Sequence, residues 1–192
     1  VRDYVHKTDV KWTRLDLPPI IIETRRALRE ALSFRLKKLE DANLLKIKDE
    51  KRISLKTLLE LRGKAEKSNI SGVRSSLLSS IRLAHAMNLL ETQSLSSFVK
   101  FIERLFERSR GIGVRDLMED HHVKEAYETA KGALEIGIEH PKIQELERIM
   151  SSLKNGEKAI IFASYRDSVK NIHDKLLSKG FKAGLLIGKS GK

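Results

Sequence analysis

Residues 23–42 read ETRRALREALSFRLKKLEDA, and their pattern decides the fold class. Apolar side chains recur there every three or four residues, at Ala27, Leu28, Ala31, Leu32, Leu36 and Leu39. Basic side chains occupy much of the other face: Arg25, Arg26, Arg29, Arg35, Lys37 and Lys38. The stretch therefore predicts an amphipathic helix of about 20 residues with a basic surface.

The placement of proline extends this prediction to most of the chain. The only prolines are Pro18, Pro19 and Pro141, and the 121 residues between Pro19 and Pro141 contain none. Because proline breaks helix interiors, a long proline-free stretch with a 3.6-residue period favours an all-helical segment.

Short polar residues indicate where the next helices begin. Ser54 is a suitable N-cap for a helix through Lys67, and Asn69 or Ser71 for the helix after it. Ser94 is predicted to cap a further helix.

The helix after Ser71 combines an apolar stripe with many serines. The predicted stripe is Val73, Leu77, Ile81, Ala84 and Asn88. Serines at its outer positions suggest close packing or a polar groove. Gly111 and Gly113 are predicted to end the following helix, and another helical run covers about residues 121–135.

The pattern changes after Pro141, which suits the first turn of a helix reaching about Lys154. Asn155-Gly156 then predicts a turn. The apolar run KAIIFA (158–163) is typical of a strand buried on both faces of a parallel sheet. Ser164 is predicted to cap a helix over 165–179, and residues 181–187 predict a second strand.

The predicted fold class is therefore mostly α: a helical domain followed by a truncated α/β segment of one βαβ unit. Near the start, VKWTRLDLPPI (10–20) predicts a short strand that runs into a turn. A lone βαβ unit cannot complete a sheet, so both ends of the sequence suggest a piece of a larger protein.

The net charge of +12 is concentrated in one part of the chain. Residues 23–112 contain 20 basic and 11 acidic residues, whereas residues 113–192 contain 14 and 12. A localised basic field is expected of a phosphate-binding surface. A solvated helix face that keeps the protein in solution explains the same charge equally well.

Composition excludes several classes of protein. With no cysteine, the 192-residue chain has no disulfide framework and no thiolate zinc site, and a reducing compartment is the simplest setting. No apolar run approaches the roughly 20 residues of a membrane span, and the first residues do not resemble a secretion signal. We therefore expect a cytoplasmic protein without membrane contact.

Two short motifs could suggest cofactors, and both have simpler explanations. Gly188-Lys189-Ser190 lacks the glycine that a phosphate loop needs five residues earlier, where Ala183 stands. His121-His122 lies beside Glu119, Asp120 and Glu125, but structural zinc needs four ligands, and an acidic helix start explains these residues. No nucleophile–histidine–acid set stands out, so we predict no catalytic, cofactor-binding or metal-binding residues in this chain.

The block FASYRDS (162–168) follows the predicted strand and opens a helix. Ligands bind at the carboxyl edge of open α/β sheets, and free amides at a helix start can contact phosphate. Ser164 and Arg166 could therefore form an anion site, although a plain capped helix with an exposed arginine gives the same sequence.

Several stretches resemble the archaeal Hef helicases, which are superfamily 2 DNA helicases of the Fanconi anaemia group M type. FASYRDS stands in the place of motif IV, and residues 158–188 resemble the opening of the second RecA-like motor domain. LAHAMNLLETQSL (83–95), GIEHPKIQELERIM (137–150) and VKWTRLDLP (10–18) are similar to segments of that family. The resemblance covers essentially the whole chain in order.

The resemblance implies an ATP-dependent helicase or translocase that acts on branched DNA such as stalled forks. It implies three parts: an exit strand and linker from the first RecA-like domain (1–22), a thumb-like helical insert (23–139) and the start of the second RecA-like domain (140–192). ATP and magnesium would bind the parent protein. Its nucleotide loop should lie before Val1, and its arginine finger should lie beyond Lys192. By itself this chain should not hydrolyse ATP.

On this reading, the basic insert contacts the backbone of branched DNA, and the rest of the motor in the same chain is its partner. The predicted nucleic-acid-binding residues are Arg25, Arg26, Arg29, Lys37, Lys38, Arg62, Lys64, Lys67, Arg74, Arg82, Ser164, Tyr165 and Arg166. Two alternatives remain: an insert that binds double-stranded RNA, and a non-enzymatic helical module that binds an acidic protein.

Overall fold

A computed structural model describes residues 9–47, 53–68, 70–107, 111–154 and 156–188. These residues form nine helices, which confirms the mostly α fold class. In chain order they are α1 (Pro19–Asp41), α2 (Leu55–Glu60), α3 (Arg62–Glu66), α4 (Val73–Thr92), α5 (Leu95–Glu107), α6 (Val114–Glu119), α7 (His121–Glu135), α8 (Pro141–Ser151) and α9 (Arg166–Ser178). None of the helices is long and apolar enough to cross a membrane.

Helix α1 is the centre of the bundle and packs most extensively against α4 and α7. It begins at Pro19, four residues before the predicted start, because proline presets the helical φ angle and loses no hydrogen bond at the first position. Leu28 on α1, Leu83 on α4 and Ala130 on α7 are at most 1% exposed. Burying a leucine of this kind contributes about 1.5–3 kcal/mol.

Arg35 was predicted on the basic outer face of α1, and the structure shows that this assignment is wrong. Its side chain is 2% exposed and forms ion pairs with Asp116 at 2.8 Å and Asp120 at 2.7 Å. Nη1 also donates to the carbonyl oxygen of Ala31 at 2.7 Å. Arg35 shares the buried side of α1 with Leu28 and Leu32, and the two aspartates make this burial possible because they neutralise and hydrogen-bond its guanidinium.

The serines of α4 face the core, as the close-packing alternative predicts. Ser79 and Ser80 are fully buried, and Ser79 donates to the carbonyl oxygen of Gly113 at 2.9 Å. Gly113 has φ 76°, and a Cβ there would lie 2.5 Å from Ser79 Oγ. The predicted stripe is therefore rotated on α4, where Ile81, Ala84 and Asn88 are only half-buried.

Two of the predicted caps are present. Ser54 Oγ accepts the Thr57 amide at 3.2 Å, and Ser94 Oγ accepts the Ser97 amide at 3.0 Å. The predicted helix through Lys67 is divided into α2 and α3 at Leu61.

Two other predicted helix ends differ from the structure. The residue that precedes α4 as its N-cap is Gly72, with φ 79°, rather than Ser71, because glycine adopts this conformation without strain. The alternative cap, Asn69, lies outside the described residues. Gly113 opens α6 as its N-cap instead of ending α5.

The segment after the bundle keeps its helices, but the predicted strands are not formed in the described residues. Residues 10–17, 158–163 and 181–187 are neither helix nor strand. A parallel ladder is stable when both of its faces are covered, whereas Ile160, Phe162 and Leu186 are 82%, 90% and 93% exposed. Trp12, in the predicted N-terminal strand, is likewise 90% exposed.

Candidate nucleic-acid interface

Helix α1 presents a face of mixed charge. Arg26, Lys37 and Lys38 are exposed there and Arg29 is half-buried. Acidic side chains are exposed on the same helix at Glu23, Glu30, Glu40 and Asp41. The acidic residues therefore offset much of the positive potential that the sequence suggested for α1.

Two of the cations on α1 have neighbours within the protein. Arg25 is half-buried and pairs with Glu91 of α4 at 3.4 Å. The ammonium of Lys38 lies 4.5 Å from the ring centroid of Phe34, which is 59% exposed. Arg25 is therefore held against α4, whereas Lys38 remains at the surface.

A denser group of cations lies where α3 meets α4. Arg62, Lys64, Lys67 and Arg74, which we call the α3–α4 cluster, are all exposed. Arg62 and Arg74 line the same shallow depression. Only two acidic residues, Glu60 and Glu66, lie between residues 53 and 75, and Glu66 is 3.5 Å from Arg62. The structure thus brings Arg62 and Arg74 together, with Lys64 on the same short helix as Arg62 and Lys67 at its end.

Arg82 has a different environment from the α3–α4 cluster. Its Nη1 donates to the carbonyl oxygen of Ile112 at 2.7 Å, and its guanidinium lies against Gly111 and Gly113. Burial lowers the pKa of Arg82. These contacts hold the segment before α6 against α4.

The three predicted residues at the start of α9 have different environments. Tyr165, rather than Ser164, is the N-cap residue, and it makes no side-chain cap hydrogen bond. Its hydroxyl instead accepts from the Asn88 amide at 3.1 Å. Arg166 donates to the carbonyl oxygen of Gly188 at 2.5 Å, whereas Ser164 is exposed.

Sequence reasoning missed the polar joint between α9 and the bundle. Besides the bond from Asn88 to Tyr165, Arg104 of α5 pairs with Asp167 at 2.5 Å, and Ser168 donates to Gln93 at 2.5 Å. These partners are separated by 63 to 77 residues, so no local pattern could have revealed them. A cleft of about 520 Å³ lies beside this joint, between the end of α4, α8 and residues 161–172.

One cluster in the described residues has metal-ligating side chains. Donor atoms of His121, His122 and Glu125 lie within 4.8 Å of one another at the start of α7. The three side chains are on the surface, and the positive end of a helix dipole disfavours a cation there. Asp120 is already used as the N-cap of α7 and the partner of Arg35.

Comparison with known proteins gives a consistent result. Residues 20–137 match the protein family described as "Putative ATP-dependent RNA helicase, helical bundle". The chain is 32% identical to "Putative ATP-dependent RNA helicase MJ1505" of Methanocaldococcus jannaschii, over 100% of this chain and 25% of that protein. It is 25% identical to the ATP-dependent DNA helicase mph1 of Neurospora crassa, over 99% of this chain and 18% of that one.

A solved structure extends the similarity to the fold. The crystal structure of the Pyrococcus furiosus Hef helicase domain matches with a TM-score of 0.84 and 32% identity. That match covers 100% of this chain and 42% of the Hef chain, so the present chain spans less than half of these relatives. The chain therefore belongs to this helicase helical-bundle family.

Proposed function

We propose that this chain is part of an ATP-dependent helicase or translocase acting on branched DNA, and that its bundle binds the phosphate backbone. The observation that carries the proposal is the α3–α4 cluster: four exposed cations with two acidic neighbours. Exposed Lys37 and Lys38 extend the predicted surface onto α1. Phosphate contacts of this kind supply affinity without sequence information, so preference for a fork would come from shape.

Not all predicted residues support the proposal equally. Arg25 and Arg82 are engaged with Glu91 and with the carbonyl oxygen of Ile112. The exposed cations of the α3–α4 cluster, of which Arg62 pairs with Glu66 on the same helix, therefore form the core of the proposed surface. Arg26, Arg29 and the residues Ser164, Tyr165 and Arg166 remain secondary contacts in it.

ATP is proposed for the whole protein because its relatives are named ATP-dependent helicases, and magnesium because the family resemblance of the sequence implies it. The described residues do not contain a glycine-rich loop followed by Lys-Ser or Lys-Thr and a helix, which is the arrangement that holds a nucleotide phosphate. No step through ATP is therefore assigned to this chain, and we expect the isolated chain to lack ATPase activity.

The test measures the binding of a labelled DNA fork by fluorescence anisotropy at several NaCl concentrations. We expect affinity to fall steeply with salt, because each neutralised phosphate contributes about −0.9 to the slope of log K against log salt. Charge reversal of Lys64, Lys67 and Arg74 should weaken binding by at least about tenfold and make the slope shallower by about 3.

A matched control reverses three exposed lysines elsewhere: Lys124, Lys170 and Lys182. This variant has the same net charge as the cluster variant. Comparison of the two therefore distinguishes an effect of the α3–α4 cluster from an effect of overall charge. Equal losses in the two variants, or no binding of wild type at low salt, would contradict the proposal.

Double-stranded RNA is the second candidate, because the matched family and one relative are described as RNA helicases. Competition of unlabelled duplex RNA against the labelled fork decides between them. If RNA displaces the fork at lower concentration than fork DNA itself does, the substrate is RNA. A stable complex with an acidic protein and no nucleic-acid binding would instead favour an interaction module.

A further inference from the structure

A second cavity lies where α4, α5 and the start of α9 meet, and the proposed backbone surface does not use it. Its volume is about 360 Å³, near the lower end of the roughly 300–1,000 Å³ typical of small-ligand pockets. Three of its walls are the rings of His85, Phe101 and Tyr165, and Leu89 and Leu105 add aliphatic surface. The cavity therefore suits a flat, largely apolar group of modest size.

The aromatic walls are held in place before any ligand arrives. His85 and Phe101 lie edge to face, with ring centroids 4.9 Å apart and planes at 81°. The Tyr165 ring is 6.0 Å from that of His85, and its hydroxyl is fixed by the 3.1 Å hydrogen bond from Asn88. Burial lowers the pKa of His85, so the imidazole is neutral at pH 7 and adds no charge to the wall.

Charged groups border the same cavity. Arg104 and Asp167, paired at 2.5 Å, also line it, and their side chains are 53% and 46% exposed. A guanidinium offers hydrogen-bond donors and a carboxylate offers acceptors. A ligand with a flat apolar face and a polar edge matches this combination, and a nucleobase has both.

The position of the cavity connects it with a strand. Tyr165 lies between Ser164 and Arg166, which are predicted to contact a nucleic-acid backbone, and its ring lines the cavity. A strand passing these residues would therefore carry its bases past the opening.

We propose that this cavity binds one unpaired nucleobase of a single strand, stacked against Tyr165. The inference rests on the proposed function, since the backbone must be held nearby. It adds a distinct contribution, because base stacking on aromatic side chains depends on the base, whereas the phosphate contacts of the α3–α4 cluster do not.

The test compares two labelled oligonucleotides with the same number of phosphates: oligothymidylate, and a chain of abasic sites. We expect wild type to bind oligothymidylate more tightly. Tyr165→Leu should lower that affinity by at least about fivefold and lower the affinity for the abasic chain much less. Tyr165→Phe keeps the ring and loses only the bond to Asn88, so it should retain most of the base-dependent affinity.

A second variant tests the cavity without removing its ring. Leu105→Trp fills the space and should remove the same base-dependent part of the affinity. Ile136→Ala, at the 76% exposed C-cap of α7 and outside the lining of the cavity, is the control and should change neither affinity. Circular dichroism of each variant checks that the helices are intact.

The outcomes separate this inference from the proposed function. Equal binding of the two oligonucleotides by wild type would overturn the base pocket and leave backbone binding in place. Equal losses for both oligonucleotides in Tyr165→Leu would also overturn it, since they would show a structural role. If wild type binds neither oligonucleotide, the proposed backbone surface and the proposed base pocket are both contradicted.

Discussion

The seven-helix bundle (α1–α7) and the segment that follows it are held together by different forces. Inside the bundle the contacts are mainly apolar, beside the buried ion pairs of Arg35: Leu28, Leu36 and Phe98 are at most 1% exposed. Between the bundle and α9 the contacts are hydrogen bonds and ion pairs, made at Tyr165, Asp167 and Ser168 of α9's first turn.

Because of this difference, the two parts of the molecule should differ in how they respond to salt and pH. Apolar burial is insensitive to salt and changes little with pH, so the bundle should behave as one rigid unit. Polar contacts that are half exposed are screened by salt and contribute little each. The joint with α9 is therefore the part that nucleic-acid binding could shift at low cost, and three predictions test this contrast.

The largest effect is expected from Arg35→Ala, which breaks the charged contact inside the bundle. Asp120 then loses its partner while only 14% of its side chain is exposed. Because removing one member of a buried ion pair leaves an uncompensated charge, we expect the free energy of unfolding to fall by about 3 kcal/mol. Urea denaturation, monitored by circular dichroism, measures the free energy of unfolding.

Arg26→Ala is the matched control for Arg35→Ala, since Arg26 is exposed on the same helix. It should change the free energy of unfolding by no more than about 0.5 kcal/mol. Burial alone would raise the pKa of Asp120, but the hydrogen bond and charge of Arg35, with the amides of Val123 and His122, lower it. A similar loss in the two variants would show that the buried ion pairs of Arg35 with Asp116 and Asp120 do not stabilise the bundle.

Arg35 also shows what the sequence could and could not predict. Local chemistry predicted most helices and the caps at Ser54 and Ser94, because those depend on neighbouring residues. The partners of Arg35 lie 81 and 85 residues away, so residue type alone placed it with the surface cations. The helix boundary at Leu61, a buried residue, was missed for a related reason, whereas the boundary at Gly72 reflects a positive φ that glycine adopts without strain.

The candidate site was predictable in its composition and not in its geometry. The excess of basic residues within 23–112 indicated a phosphate-binding surface. Such a surface requires exposed cations, and Lys64, Lys67 and Arg74 are exposed. Which cations are occupied within the protein, such as Arg82 with the Ile112 carbonyl oxygen, depends on contacts 30 residues apart. The cavity at Tyr165 needs three helices to meet, which no single stretch of sequence encodes.

An intermediate effect is expected at His140, which connects the bundle to α8. Its imidazole is 1% exposed; Nδ1 accepts the Lys142 amide at 3.2 Å, so Nε2 donates to the carbonyl oxygen of Glu91 at 3.1 Å. His140→Ala removes this N-cap and should cost about 1 kcal/mol at pH 7.5. The measurement is again the free energy of unfolding in urea.

The pH dependence of stability gives a sharper test of His140. Burial lowers its pKa from the ordinary 6.5, outweighing the bond to Glu91, and the charge of Lys142 lowers it further. The folded state thus favours the neutral ring, so its contribution is complete above pH 6.5 and is lost as pH falls below that value. His85 shifts in the same direction through burial.

Replacing His140 by asparagine keeps an N-cap and removes the titration. The variant should lose less stability than wild type between pH 7.5 and pH 5.0. His121→Asn, at a histidine whose side chain is 78% exposed, is the control variant. If His140→Asn has the same pH dependence as wild type, protonation of this ring does not weaken the start of α8.

The smallest effect is expected at the pair formed by Arg104 and Asp167, which tests the joint itself. The two side chains are 53% and 46% exposed, so a double-mutant cycle with Arg104→Gln and Asp167→Asn should give a coupling of about 0.5 kcal/mol. The hydrogen bond from Arg104 lowers the pKa of Asp167, and burial opposes this. Because exposed charges are screened, the coupling should weaken at about 0.5 M NaCl, where the Debye length is only a few ångströms.

Hydrogen exchange of the amides in α9 is the measurement that fits an effect of this size. A change of about 0.5 kcal/mol corresponds to roughly twofold faster exchange, and it should be confined to α9 while amides in α1 and α4 keep their protection. A coupling that is unchanged at high salt, or one that changes exchange throughout the bundle, would contradict a joint that is separate from the bundle. In that case the cavity at Tyr165 would be as rigid as the core, and binding of a base could not move α9 relative to α5.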